Sequence, residues 1–148
     1  MNKDFTHIIL ADDDVDDRMF FTDAFDELKI NTKVKTFKDG VYLMDFLNKH
    51  GKPVPHILFL DLNMPRKCGM TCLQELRQDK RFDSIAVAIY STSAAEEDIE
   101  NTFVQGANVY IKKPSDFKSL KKILATVVAL NWQYHTNSLN RENFLLRI

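Results

Sequence analysis

Short apolar runs alternate along the chain with longer segments in which apolar residues recur every three to four positions. Five such runs predict buried strands, and they begin near residues 7, 32, 56, 85 and 108. The run Ile57-Leu58-Phe59-Leu60 is wholly apolar, as is typical of a strand that is covered on both faces of its sheet. Each strand is followed by a segment of helical periodicity. Strict alternation of five strands and five helices predicts an α/β fold with a parallel sheet between two layers of helices.

Helix boundaries are predicted from capping residues and from glycines. Asp39 is expected to cap the second helix, and Gly51 is expected to end it. Ser93 is expected to cap the fourth helix in a capping box with Glu96, and Ser115 the fifth helix. The first helix is predicted over residues 15–29, and its apolar face is predicted to comprise Val15, Met19, Phe20, Ala24 and Leu28.

The last 18 residues fall outside the alternation of strands and helices. We expect residues 1–130 to form one domain and residues 131–148 to be a packed C-terminal extension of the last helix, with no separate output domain. A tail that binds a partner is the less favoured alternative, because terminal segments become ordered only when they are tied down. The apolar residues available for such packing are Trp132, Tyr134, Phe144, Leu145, Leu146 and Ile148.

Composition excludes several classes of protein. The chain has 148 residues with a formal net charge of −1, which gives no support for binding to nucleic acid or to an anionic membrane. It contains no apolar run long enough to cross a bilayer and no secretory signal segment. Its two cysteines, Cys68 and Cys72, do not make a disulfide framework or a zinc site. A cytoplasmic protein is therefore the expectation.

Chemically reactive side chains follow four of the predicted strands. Asp12 and Asp13 follow the first strand, Asp61 the third, Ser91 the fourth and Lys113 the fifth. In an open parallel sheet the functional site lies outside the carboxyl ends of the strands, so we expect these side chains to meet there. Further acids at positions 14, 16 and 17 are expected to serve the N-terminus of the first helix, where negative charge is favoured.

This set of side chains favours phosphoryl chemistry. Two adjacent ionised carboxylates at the end of a buried strand repel each other, and a Mg²⁺ ion would relieve that repulsion. Asp61 is then placed to act as a nucleophile toward a phosphoryl group, giving an acyl phosphate. Lys113 can pair first with the carboxylate and then with the phosphoryl oxygens, and Ser91 can donate a hydrogen bond to them.

These motifs resemble the receiver domain of bacterial two-component response regulators over about residues 7–129. The matching segments are Ile8-Ile9-Leu10-Ala11-Asp12-Asp13-Asp14, Leu60-Asp61-Leu62-Asn63-Met64-Pro65 with Gly69, Ser91-Thr92-Ser93, and Tyr110-Ile111-Lys112-Lys113-Pro114. The resemblance implies a flavodoxin-like (βα)5 three-layer sandwich with strand order 2-1-3-4-5. It implies that Asp61 is the phosphoacceptor, that Asp12, Asp13, Asp61 and the Asn63 carbonyl bind Mg²⁺, and that Lys113 and Ser91 contact the phosphoryl group.

The resemblance also implies a signalling role for the chain. It implies a single-domain, CheY-like phosphoacceptor that assists only its own phosphorylation and dephosphorylation. The implied partners are a sensor histidine kinase or a histidine phosphotransfer protein, and a downstream protein that binds the surface of helix 4, strand 5 and helix 5. The switch is expected to couple Ser91 to Tyr110. Ser91 stands where the family more often has Thr, which keeps the hydroxyl group and loses a methyl group.

Two other functions remain as alternatives at this point. Asp61-Leu62-Asn63 faintly resembles the Asp-x-Asp signature of haloacid-dehalogenase-like phosphatases, although Asn replaces the second Asp. Turnover of a phosphoester substrate would favour that enzyme. The second alternative is a pseudo-receiver that binds partners without phosphorylation, which the presence of Asp13, Asp61 and Lys113 disfavours.

Overall fold

Six parallel strands form one sheet in the order β2-β1-β3-β4-β5-β6. The computed structural model describes residues 5–50, 54–130 and 144–146. Among these residues, no helix is long and apolar enough to cross a membrane. The elements are β1 (Thr6–Ala11), α1 (Val15–Leu28), β2 (Thr32–Phe37), α2 (Gly40–His50), β3 (Ile57–Leu60), α3 (Gly69–Arg77), a 3₁₀ turn (Lys80–Phe82), β4 (Ala86–Ser91), α4 (Glu96–Val104), β5 (Val109–Lys112), α5 (Phe117–Ala129) and β6 (Leu145–Leu146).

The sheet lies between two layers of helices, as the sequence predicted. Successive side chains of a strand point to opposite faces, so β1 sends Ile8 into one core and Ile9 into the other. The first core also contains buried residues of α1 and α5, and the second contains buried residues of α2, α3 and α4. The predicted order 2-1-3-4-5 is confirmed, and the sixth strand extends it beyond β5.

The predicted apolar face of α1 is confirmed at Ala24, which is buried, and at Leu28, which packs against the core, but it is wrong at its other three residues. The helix buries Phe21, Ala24 and Phe25, which follow a spacing of three and four residues. Three residues of the predicted face are instead more than half exposed: Val15, Met19 and Phe20. Apolar residues occur on two sides of this helix, so periodicity did not identify the side that packs against α5 and the sheet.

The predicted helix caps had mixed outcomes. Asp39 caps α2 as expected, because its Oδ1 accepts a hydrogen bond from the Tyr42 N–H at 3.0 Å. The cap of α5 is Asp116 rather than Ser115, and its carboxylate accepts from the Ser119 N–H at 2.7 Å. The capping box at Ser93 is also wrong, because α4 begins at Glu96 and Ala95 is its N-cap residue.

The C-terminal residues that the structure describes form a strand. Helix α5 ends at Ala129, and Leu130 is already extended, so the expected continuation of the helix does not extend through residues 144–146. Phe144 is fully buried, and Leu145 lies opposite Tyr110 of β5. The predicted packing of Trp132, Tyr134 and Ile148 and the end of α2 at Gly51 lie outside the described residues. The domain boundary at residue 130 stays a prediction.

Candidate functional site

The register between β1 and β3 places two acidic residues side by side. Ala11, the last residue of β1, lies opposite Leu60, the last residue of β3. Asp12 and Asp61 therefore leave the sheet at the same level. The Asp61 N–H donates to the Ala11 carbonyl at 3.0 Å, and the Asp12 N–H donates to the Phe37 carbonyl of β2 at 3.0 Å. These backbone bonds hold both side chains at the carboxyl edge of the sheet.

Three carboxylates converge at this edge. Asp12, Asp13 and Asp61 each offer an oxygen atom, and these atoms all lie within 4.8 Å of one another. Asp12 and Asp61 are buried, whereas Asp13 is exposed. Like charges at this separation disfavour joint ionisation unless a cation compensates them.

Asp12 shows the cost of this arrangement most clearly. Its Oδ1 accepts a hydrogen bond from the Asp14 N–H at 3.0 Å, and the Lys113 ammonium lies 2.8 Å from its buried Oδ2. Burial raises the pKa of Asp12 to about 6, and the nearby charge of Asp61 adds to that rise, while Lys113 and the Asp14 N–H oppose it. A single ammonium shared among several acids leaves negative charge at this edge, which fits a hard divalent cation.

Lys113 supplies positive charge to the same cluster. Its Nζ lies 2.7 Å from Asp17, 2.8 Å from Asp12 and 3.3 Å from Asp61, and its side chain is only 10% exposed. Burial lowers the pKa of Lys113, but the carboxylates of Asp12, Asp17 and Asp61 outweigh burial and raise it above the ordinary value. The ammonium group therefore stays charged.

The loop after β3 holds the Asp61 carboxylate in place. The Asn63 N–H donates to Asp61 Oδ1 at 3.2 Å, while Asp61 Oδ2 accepts from Lys113. The Asn63 side chain is exposed. Gly69 packs directly against the Asp61 main chain, and a Cβ atom on Gly69 would overlap the Asp61 carbonyl oxygen. A glycine at this position is thus required for the loop to fold back onto Asp61.

Ser91 and Tyr110 lie next to this cluster on β4 and β5. Ser91 is fully buried, its hydroxyl accepts from the Ser93 N–H at 3.1 Å, and its carbonyl accepts from the Lys113 N–H at 2.8 Å. Tyr110 is also fully buried, and its hydroxyl donates to the Ser93 carbonyl at 2.9 Å. The Ser93 main chain therefore connects the two predicted switch residues.

The structure brings together Asp12, Asp13, Asp61 and Lys113, and it adds one residue that the sequence analysis assigned elsewhere. Asp17 was assigned to the N-terminus of α1, yet its carboxylate contacts Lys113. Spacing along the chain gave no signal for this contact, because Asp17 and Lys113 are 96 positions apart in sequence.

Comparison with known families identifies the family to which this fold belongs. Residues 8–125 match the model of the response regulator receiver domain. The chain is 29% identical over 121 residues to the response regulator Rcp1 of Synechocystis sp., covering 79% of this chain and 82% of that protein. It is 27% identical over 123 residues to the probable methanogenesis regulatory protein FilR2 of Methanothrix harundinacea, covering 81% of this chain and 79% of that protein.

Solved structures agree with this family. The phosphorylated cyanobacterial phytochrome response regulator RcpA superposes with a TM-score of 0.77 at 26% identity, covering 93% of this chain and 98% of that chain. The Mn²⁺-bound form of Rcp1 gives a TM-score of 0.74 at 25% identity, covering 91% and 97%. These similarities do not favour the phosphatase or pseudo-receiver alternatives. The chain belongs to the response regulator receiver domain family, and it is a response regulator with a phosphoacceptor aspartate.

Proposed function

We propose that Asp61 is the aspartate that receives the phosphoryl group, from a sensor histidine kinase or a histidine phosphotransfer protein. The observation that supports this most directly is the position of its carboxylate between the acidic cluster and the Lys113 ammonium. Asp12 has the same neighbours but is completely buried, whereas the Asp61 side chain is 7% exposed. Asp61 is therefore the buried acid of the pair that a phosphoryl donor can reach.

Mg²⁺ is the cation that suits the acidic cluster. Carboxylates of Asp12, Asp13 and Asp61 and the carbonyl of Asn63 would hold it, in keeping with the preference of Mg²⁺ for oxygen ligands. When bound, the ion neutralises carboxylate and phosphoryl charges that would otherwise repel each other. The convergence of three carboxylate oxygens within 4.8 Å of one another supports this assignment.

The residues of this chain then carry out a simple displacement. A carboxylate oxygen of Asp61 forms a bond to phosphorus as the bond between phosphorus and the donor histidine nitrogen breaks, and that nitrogen takes up a proton from solvent. An ionised carboxylate needs no general base. The Lys113 ammonium pairs with one phosphoryl oxygen, and the Ser91 hydroxyl donates to another. In hydrolysis, a water oxygen bonds to phosphorus as the bond between phosphorus and the Asp61 oxygen breaks, which releases phosphate and restores the carboxylate. The chain therefore assists only its own phosphorylation and dephosphorylation.

The signal leaves through the surface of α4, β5 and α5, where a downstream protein binds. A Ser91 hydroxyl that turns toward the phosphoryl group changes the packing around Ser93, to which Tyr110 is hydrogen-bonded. Residues 144–146 already lie along β5, and the Phe144 ring packs against the Tyr110 ring with centroids 6.1 Å apart. A partner that approaches β5 therefore meets this segment as well.

Labelling with a small acyl phosphate tests the acceptor assignment. Wild type, Asp61→Asn and Asp26→Asn are incubated with acetyl phosphate and Mg²⁺, and intact masses are measured. Asp26 is exposed on α1 and serves as the matched control. We expect one acid-labile phosphate on wild type and on Asp26→Asn, and none on Asp61→Asn. Equal labelling of Asp61→Asn would contradict the assignment, and sustained hydrolysis of a phosphoester substrate would contradict the purely signalling role.

A further inference from the structure

Asp17 makes the shortest contact with the Lys113 ammonium that the described residues provide. The separation of 2.7 Å is that of a charge-assisted hydrogen bond, whereas the distance to Asp61 is 3.3 Å. Asp12 Oδ2 lies at a similar distance of 2.8 Å. The pair joins α1 to the loop after β5, across 96 positions of sequence. The Asp17 carboxylate therefore accepts a short hydrogen bond from the Lys113 ammonium.

The surroundings of the ammonium limit where it can move. Nζ lies 5.3 Å from the centre of the Tyr90 ring, and Tyr90 is buried. Asp17, Tyr90 and Lys113 line the same cavity of about 230 Å³. The side chains of Lys113 and Asp17 are 10% and 31% exposed, so solvent screens their contact only in part. The carboxylate and the ring hold the ammonium at the wall of the site.

Asp17 also stands apart from the acids that fit a metal ion. The cluster of converging carboxylates consists of Asp12, Asp13 and Asp61 and does not include Asp17. A cation shared by that cluster draws on Asp12 and Asp61, which are the other two carboxylates near Lys113. Asp17 lies outside that cluster, so a cation bound there would leave its contact with the lysine in place.

We propose that Asp17 is a positioning residue for phosphoryl transfer, which holds the Lys113 ammonium beside Asp61, ready to pair with the phosphoryl oxygen. The inference rests on the proposed roles of Asp61 and Lys113. Asp17 forms and breaks no covalent bond in the reaction. It acts by fixing the position of the Lys113 ammonium. A displacement of about 1 Å of a group that contacts the reacting atoms lowers the reaction rate by as much as about a hundredfold.

The test compares initial rates of labelling by acetyl phosphate in the presence of Mg²⁺. The variants are Asp17→Asn, which removes the charge with little change of shape, and Asp17→Glu, which restores a carboxylate. Asp16→Asn is the matched control, because Asp16 is an exposed acid of the same helical turn that is not among the contacts of Lys113. We expect Asp17→Asn to be slower by about tenfold or more, Asp17→Glu to recover part of that loss, and Asp16→Asn to stay within about twofold of wild type.

A double variant of Asp17 and Lys113 distinguishes a positioning role of Asp17 from a general effect on the structure. In a Lys113→Met background, Asp17→Asn should change the labelling rate by less than about twofold, because the group it positions is gone. Nitrogen-15 NMR of the Lys113 ammonium in the unphosphorylated protein, without metal, gives a second readout. We expect its resonance to shift in Asp17→Asn and to stay in place in Asp16→Asn.

Two results would overturn the inference. One is an unchanged labelling rate together with an unchanged Lys113 resonance in Asp17→Asn. The other is an equal loss of rate from Asp17→Asn with and without Lys113. In either case, loss of labelling in Asp61→Asn would leave the proposed function standing, whereas wild-type labelling of Asp61→Asn would refute the proposed function itself.

Discussion

Individual side chains in this protein take their chemistry from burial as much as from residue type. The two cysteines illustrate this, because they lie four residues apart at the start of α3 but differ in environment. Cys72 is buried, and burial raises the pKa of its thiol to about 12. Cys68 is exposed, and its hydrogen bond with Thr71 lowers the pKa of its thiol below the ordinary value. Thiolates are the reactive form, so the two residues should differ sharply in reactivity.

Alkylation of the native protein checks this difference. With iodoacetamide at pH 8, we expect Cys68 to be modified quickly and Cys72 only after unfolding, as measured by peptide mass. Cys68→Ser should remove the fast reaction and leave the slow one. Rapid modification of Cys72 in the folded protein would contradict its burial.

Asp39 gives a prediction about pH. Burial raises the pKa of its carboxyl, but the Tyr42 N–H and the Arg66 guanidinium outweigh burial and lower it below the ordinary value. A carboxyl whose pKa is lower in the folded state stabilises that state above its unfolded pKa of about 3.9, and the contribution is lost as the pH falls toward the folded pKa. Because Arg66 is half exposed, we expect the charge to contribute about 1 kcal/mol or less.

Urea unfolding of wild type and Asp39→Asn between pH 7 and pH 3 measures that contribution. Asn can still cap α2, so the difference between the two proteins reports mainly the charge. The difference should be constant from pH 7 to pH 5 and should shrink below about pH 4. A difference that grows as the pH falls would show that the sign is wrong.

The partly buried guanidinium of Arg77 connects several elements on one side of the sheet. Arg77, at the end of α3, donates to the carbonyls of Ile85 and Gly106 at 2.9 Å each, and to the Asn108 side-chain oxygen at 2.9 Å. That oxygen also accepts from the Val87 N–H. The guanidinium thus connects α3 with the starts of β4 and β5, and Gly106 approaches it in a left-handed conformation with φ +99°.

Replacement of Arg77 should therefore destabilise the fold. For Arg77→Met we expect a loss of about 2–4 kcal/mol in the free energy of unfolding, because buried acceptors lose charged hydrogen bonds. Arg77→Lys should recover only part of it, since one ammonium cannot reproduce the planar fork. Arg81→Met removes an exposed ion pair with Asp79 and serves as the control, with an expected change below about 1 kcal/mol. Similar losses for Arg77→Met and Arg81→Met would contradict this account.

Local signals predicted some elements well and others poorly, for a physical reason that differs in each case. The buried strand Ile57–Leu60 and the cap at Asp39 follow from apolar runs and side-chain chemistry that act within a few residues. Three residues of the predicted face of α1 were wrong because the position of α5 decides which apolar residues are buried. Strand β6 was missed because a two-residue strand has no pattern of its own and forms only through pairing with β5.

The carboxylates at the carboxyl end of the sheet repel one another and so lower the stability of the whole folded molecule. Asp12, Asp13 and Asp61 face one another, and Lys113 is shared between two of them and Asp17. A ligand that binds only the folded state stabilises it in proportion to the logarithm of its concentration above Kd. Divalent cations should therefore raise the thermal stability of the whole domain.

Thermal unfolding with increasing Mg²⁺ at pH 7 measures this effect. We expect the Tm of wild type to rise by several degrees at Mg²⁺ concentrations about 100 times Kd, which corresponds to about 2.7 kcal/mol. Asp13→Asn should lose most of that rise, since Asp13 is exposed and its loss leaves the fold intact, while Asp26→Asn should keep it. An equal rise in Asp13→Asn and wild type would place the ion elsewhere.

From the order of its residues alone, this chain specifies alternating strands and helices, and it specifies that acids, a hydroxyl and a lysine follow the strands. Those features depend on neighbours a few positions away, where periodicity and capping act. The contact between Asp17 and Lys113, the packing of Phe144 on Tyr110 and the buried face of α1 join segments that are distant in sequence. They depend on how helices and strands pack in three dimensions, because distance between side chains, and not their spacing along the chain, sets those interactions.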